Sequence, residues 1–158
     1  MQGGRKYNLG GQLTATAAKT RACTIGNATV LPHTYFMQVS AISATPADSV
    51  NEYTLKRISA IGSLAVTSTT PAALGTGVPA SLLVGGAALT GINATGEPTY
   101  TANSDVLSWS HNMHAVSAFY APEGGEFEQE ASVTKGLGLF LVAGATVYSD
   151  VLSWHWVE

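Results

Sequence analysis

The 158-residue chain is short of charge. Asp, Glu, Lys and Arg make up 11% of it, against roughly 25% in ordinary soluble domains. A surface so poor in charge suits a protein that hides much of itself against copies of itself or a partner. Cysteine is nearly absent. Cys23 stands alone, which excludes an intrachain disulfide and leaves it as a small core hydrophobe. No run of about 18 apolar residues is present, so no membrane span and no membrane partner are expected. The opening MQGGRKYNLGGQLT has basic residues but no apolar stretch behind them, and reads as no secretory signal. The Asn-x-Thr sequons at Asn27 and Asn93 are therefore taken as products of a Thr-rich composition. Helical periodicity is scarce as well.

The few charges are unevenly spread. Six of the seven basic residues, Arg5, Lys6, Lys19, Arg21, Lys56 and Arg57, lie in the first 57 positions, opposed there by Asp48 and Glu52 alone. Four of the later acids crowd into PEGGEFEQE, as Glu123, Glu126, Glu128 and Glu130. A solvated arm and a solvated loop explain this pattern; so does a basic N-terminal arm that docks on an acidic surface. Six dispersed cations are too few for a nucleic-acid footprint.

What is there in quantity is strand signal: β-branched and aromatic runs punctuated by Gly, Pro, Asn and Asp. TYFMQVSAI (34–42) and the alternating NEYTLKRISAI (51–61) read as strands, with ATPAD (44–48) as a tight turn between them. Residues 62–98 are rich in Gly, Pro, Thr and Ala and form a long excursion, with short strands expected near Leu64–Thr67 and Ala80–Val84. Excursions of that length are usually functional or interfacial. DVLSWSHN and HAVSAFYAP read as a hairpin turning at Asn112 and Met113. EGGEFEQE is a loop or edge, GLGLFLVAG a buried strand, and TVYSDVLSWHWVE the last strand. The expected architecture is an all-β, antiparallel, jelly-roll-like sandwich of about eight strands. Residues 1–20 form an extended N-terminal arm, and 21–158 a single domain.

The hexapeptide SDVLSW occurs twice, at 104–109 and 149–154. The likeness stops there, too short for a duplicated supersecondary unit. Each copy reads as Ser-Asp at a turn, followed by an inward Leu-x-Trp face. Leu107, Trp109 and His111 share one face, and Leu152, Trp154 and Trp156 another. Trp109, Trp154, Trp156 and Phe119 are the expected core aromatics, each large side chain contributing about 1.5–3 kcal/mol on burial. Exposed tryptophans at these positions would instead suit a sugar-binding face.

Chemistry is hard to find. His111 and His114 flank the expected turn and His155 lies in the last strand. The spacing is unspecific for a zinc or nickel site, and surface or interface histidines explain it better. No Gly-x-Ser-x-Gly elbow precedes a helix, and no carboxylate pair stands where glycoside hydrolysis would need it. KGLGLF has two glycines in a β context without a phosphate-loop pattern. No catalytic, cofactor or metal site is assigned, and the chain is not read as an enzyme.

The order of segments nevertheless resembles something known. The opening GGRKYNLGGQLTATAAKT, then SATPADSVNEYTLKRISAIG with a Gly/Pro/Thr-rich stretch behind it, then EPTYTANSDVLSW and FYAPEGGEFE, is similar to small virion proteins of tailed bacteriophages, of the capsid decoration or cement type. The likeness runs over nearly the whole chain. It rests on the order and flavour of segments, since no catalytic motif carries it. The resemblance implies a structural protein on the outer surface of the head, a homotrimer that binds the major capsid protein and bridges capsid subunits of the expanded shell. Arg5, Lys6, Tyr7, Lys19 and Arg21 are then candidates for capsid or inter-subunit contact, with the 62–98 excursion as a second contact. His-Asn-Met-His stands where that family's hairpin is expected to be richer in Arg, which counts against a charge-mediated contact there. A carbohydrate-binding or tail/fibre-associated sandwich, and a tail-tube or head–tail connector protein, are the alternative readings.

Overall fold

The computed structural model describes residues 4–14, 19–42, 50–84, 89–112, 114–144 and 149–158. The expected turn at ATPAD and residue Met113 lie outside them. Twelve strands follow in order: β1 (Lys6–Thr14), β2 (Lys19–Ile25), β3 (His33–Ile42), β4 (Val50–Ala60), β5 (Ala65–Ser68), β6 (Ala72–Ala73), β7 (Gly91–Gly96), β8 (Thr99–Asn112), β9 (Val116–Tyr120), β10 (Phe127–Glu128), β11 (Gly136–Gly144) and β12 (Ser149–Val157). A 3-10 turn, Leu82–Val84, stands where a strand was expected at 80–84. Among the described residues no helix is long and apolar enough to cross a membrane.

The strands form two antiparallel sheets. In sheet A, β3 pairs on one side with β9 and β10, and the order continues through β12 and β1 to β6. Sheet B runs β5-β7-β2-β11-β4-β8. The eight longer partners nest: β1 with β12, β2 with β11, β3 with β9, and β4 with β8. The chain changes sheet at every step between them except from β4 to β8, which is the strand order of a jelly roll.

The main core fills the space between the sheets. Tyr7, Leu9, Leu13, Met37, Val39, Leu152, Trp154 and Trp156 descend from sheet A onto Tyr53, Leu55, Leu137, Leu139 and Leu141 of sheet B. Alternation sets this: β12 buries Asp150, Leu152, Trp154 and Trp156 and turns the residues between them outward. A second, smaller core of Cys23, Ile25, Ile58, Leu64 and Ala94 lies apart from the first. It takes Cys23 and Ile25 of β2 while Ala22 faces the main core, so that strand is covered on both faces.

Residues 62–98 are an insertion between the paired strands β4 and β8. Their β5 and β7 extend sheet B beyond β2, and their β6 extends sheet A beyond β1. The insertion therefore wraps the β1/β2 edge of the sandwich. The Glu158 carboxylate holds it there, accepting from Ser81 Oγ at 2.5 Å and the Leu82 amide at 3.0 Å while also bonding Trp156 Nε1.

Three expectations are corrected here. Residues 6–14 are not an arm. They form β1 between β12 and β6, and the backbones of Arg5 and Glu158 extend the ladder in both directions. The segments at β8 and β9 are not a hairpin, because β8 pairs with β4 in sheet B and β9 with β3 in sheet A. The turn between them carries the chain across the sandwich, with the amides of His114 and Ala115 closing on Asn112. The Ser-Asp pairs of the repeat are not turns either: Ser104 and Asp105 lie within β8, Ser149 and Asp150 within β12.

Candidate functional site

Two features stand out from the packed core: a polar clasp buried between the sheets and an open edge beside it.

The clasp centres on Asp150, fully buried on β12. Its Oδ2 accepts from the Tyr53 hydroxyl and, at 3.2 Å, from Asn51 Nδ2, both on β4. Oδ1 lies 3.6 Å from Nε2 of His111, which reaches in from β8. The other imidazole nitrogen, Nδ1, is 3.2 Å from Ser117 Oγ on β9. Burial pushes the Asp150 carboxyl up, with the bonds from Tyr53 and Asn51 and the charges of His111 and Arg21 opposing it. Burial likewise lowers His111, which Asp150 opposes. Ser117, His111 and Asp150 stand in the order of a hydrolase triad, with the imidazole and the carboxylate both fully buried. The arrangement acts as a clasp joining β12 and β9 of one sheet to β4 and β8 of the other.

The open edge lies where β8 and β9 part into different sheets. Between them is a groove of about 390 Å³ lined by Met37, Leu107, Trp109, Val116, Ser117, Ala118 and Phe119. Trp109 stacks on Tyr53 at 5.8 Å and Phe119 on Phe127 at 4.9 Å. The Trp109 indole N–H is buried with no acceptor among the described residues. On the outward side of β9, Val116 is 62% and Tyr120 72% exposed. The seventeen residues from Val106 to Pro122 contain no Asp, Glu, Lys or Arg.

The residues expected to matter separate into different places. Trp154 and Trp156 are core residues, whereas Trp109 and Phe119 are only partly buried and line the groove. Of the five expected contact residues, Tyr7 and Arg21 are corrected: both are buried. Tyr7 donates to the Pro79 carbonyl at 2.9 Å and stacks on Trp156; Arg21 lies between the sheets, within reach of the charges of Asp150 and Glu97. Arg5 and Lys6 are exposed at the start of β1, and Lys19 is half-buried at the start of β2. The nine-residue strand β1 lies between those two positions, so they do not form one basic patch. The acidic loop meets other cations, with Lys135 Nζ 2.7 Å from Glu130 and Arg57 bonded to the Glu128 carbonyl.

The three histidines do not converge. His111 points inward from β8, His114 is exposed in the turn, and His155 packs against Phe36 and Tyr35 on the outer side of sheet A. Among the described residues no three metal-ligating side chains cluster. Cys23 is a core residue whose Sγ meets the Leu89 carbonyl at 3.0 Å and whose thiol is pushed up to about 12 by burial.

Sequence reading missed both features. The signal for the clasp was the Asp of the second SDVLSW, which shares parity with Leu152 and Trp154 and so points inward. The signal for the edge was the charge-free run itself. Comparison with known proteins finds no matching family model, no matching curated protein and no matching solved structure, so a functional reading stands on this geometry and on the order of the segments.

Proposed function

We propose that the protein is a structural virion protein of the capsid decoration type, which binds the outer surface of a phage head as a homotrimer and bridges capsid subunits. The observation that supports it is the asymmetry of the sandwich's two edges. One is wrapped by the chain's own insertion; the other has no Asp, Glu, Lys or Arg from Val106 to Pro122 and is uncovered among the described residues. Exposed strand edges without charge are a liability in a free monomer and fit a protein whose working state is an assembly. The order of segments directs that assembly to a phage shell. Several weak contacts per oligomer suffice there, because binding at one site raises the effective concentration at the next. The proposed role involves no enzymatic step.

Arg5 and Lys6 remain the candidates for shell contact, together with the insertion, which exposes Leu74 and Leu82. The test is co-sedimentation with expanded tailed-phage capsids lacking their decoration protein. The wild-type chain is expected to load saturably and to raise the temperature at which the capsids open. Arg5→Glu with Lys6→Glu is expected to weaken loading at least tenfold without changing the melting midpoint of the free protein. Absence of wild-type loading overturns the virion reading. A sugar-binding reading keeps Trp109 alone, since Trp154 and Trp156 are sealed in the core. A Trp-fluorescence titration with host polysaccharide separates it.

A further inference from the structure

Charge in this molecule is segregated by sheet. The four long strands of sheet A, β1, β3, β9 and β12, contain only Lys6 and Asp150, and Asp150 is buried in the clasp. Sheet B carries Lys19, Arg21, Glu52, Lys56, Arg57 and Asp105. On the outer side of sheet A the formal charges gather at one end, with Lys6 Nζ 5.9 Å from the Tyr35 ring and Glu128 of β10 opposite His33, and the part formed by β9 and the β3 residues it pairs has none. That side is otherwise made of amides, hydroxyls and apolar or aromatic groups, from Ser153 and His155 on β12 to Val116 and Tyr120 on β9. That surface runs without interruption into the uncharged β9 edge and its groove.

We infer that this surface, the outer side of sheet A at β3 and β9 with the groove beneath, is where a second copy of this chain docks. The inference rests on the reading of the protein as an assembling one and names the surface it uses. Charge selects the occupant. A charged partner surface pressed here would lose its hydration and find no counter-charge, at a cost that burial of apolar area would have to exceed. An equally uncharged surface suffers no such loss, and this chain presents one. The Trp109 ring, stacked on Tyr53, forms part of the groove wall and offers an occupant an aromatic surface. The outward backbone groups of β9 are a row of donors and acceptors, because β9 pairs on one side only among the described residues.

The test is the mass in solution, by light scattering after size exclusion, of the wild-type chain and of Val116→Lys with Tyr120→Lys. Both side chains are more than half exposed, so the substitutions leave the core alone. The wild type is expected at an integral multiple of 16.3 kDa, and the double variant at the mass of one chain with an unchanged far-ultraviolet spectrum. Val133→Lys, at an exposed position on the β10–β11 connection, is expected to keep the wild-type mass. Iodide quenching is a second readout. Trp154 and Trp156 are sealed, so quenching reports Trp109, and it should rise at least twofold when the assembly is broken. A wild-type monomer, or a double variant that keeps the wild-type mass, overturns the inference. Capsid loading is read separately. An assembly broken by the variant but never loading capsids leaves the inference standing and removes the virion reading. A loading protein whose mass ignores the variant does the reverse.

Discussion

The two aspartates of the repeated hexapeptide show how little a short motif decides by itself. Asp150 follows the parity of Leu152 and Trp154 into the core, where Tyr53 and Asn51 bond it. Asp105 has the same neighbours in sequence, yet it is exposed and faces Lys56 at 3.6 Å. The cause is a register shift between Leu55 and Lys56, where β8 carries an extra residue, Val106, against β4. Asp150→Ala removes the acceptor shared by two side chains at the centre of the sandwich. A buried hydrogen-bonding group lost in this way costs about 1–3 kcal/mol, which predicts a melting midpoint lower by roughly 2–12 °C. Asp105→Ala removes an exposed pair and should cost less than about 0.5 kcal/mol. Differential scanning calorimetry of the two variants checks both; equal midpoints would remove the clasp.

The histidines at the same scale predict an acid limb. Burial holds His111 and His155 below their ordinary value of 6.5 in the folded chain. Between the folded and unfolded values only the unfolded chain takes the proton, so stability is lost as pH falls below about 6.5. Asp150 works the other way, because its raised carboxyl binds a proton more readily when folded. The melting midpoint is expected to fall from pH 7 to pH 5, and to fall less in His155→Gln, which removes one of the two groups from the outer side of sheet A. An identical pH profile in that variant would contradict the assignment.

At the scale of elements, the strands that were legible are those whose pattern agrees with their surroundings. β3, β4, β11 and β12 have strong apolar runs or clean alternation, and the acidic loop is an edge as its composition suggested. β1 was hidden by a glycine. Its inward positions are Tyr7, Leu9, Gly11 and Leu13, and the gap at Gly11 breaks the alternation. A Cβ on Gly11 would stand 2.6 Å from the Ile92 Cδ1 of β7, so the missing side chain is the space Ile92 fills. β2 was hidden because both its faces are covered, which leaves no period to read. The turn before β9 was legible as a turn, but a turn does not say whether the next strand returns to the same sheet. Gly11→Ala is expected to cost about 1–3 kcal/mol by overpacking. In an Ile92→Ala background the same change should cost much less, since the two side chains share one space. Additive losses in that cycle would separate Gly11 from Ile92.

At the scale of the whole molecule, the sandwich class follows from many short strand signals separated by turn residues, and those were visible. The sharing of work between the two edges was not, because it depends on where an insertion folds back. Residues 62–98 read as an excursion available for contact. In the structure they complete the protein instead, covering β1 and β2 and closing the second core over Cys23 and Ile25. An insertion spent on one edge makes the other the natural place for a partner. It also changes what truncation tests: removing residues 1–11 would take Tyr7 and Leu9 from the core, so point changes at Arg5 and Lys6 are the better probe of shell contact.

The nesting of the strands also sets a timetable. β12 lies between β1 and β3, and β11 between β2 and β4, so each early strand waits for a late one as its neighbour. A ribosome making this chain holds out the first half of the sandwich before anything can complete it. Sheet A closes only when the final strand arrives. Pairings of such long sequence separation fold in the slow range, about milliseconds to seconds. For that interval β1 and β3 remain open edges, and a growing chain on a crowded messenger has its own sister chains as the nearest strands to pair with.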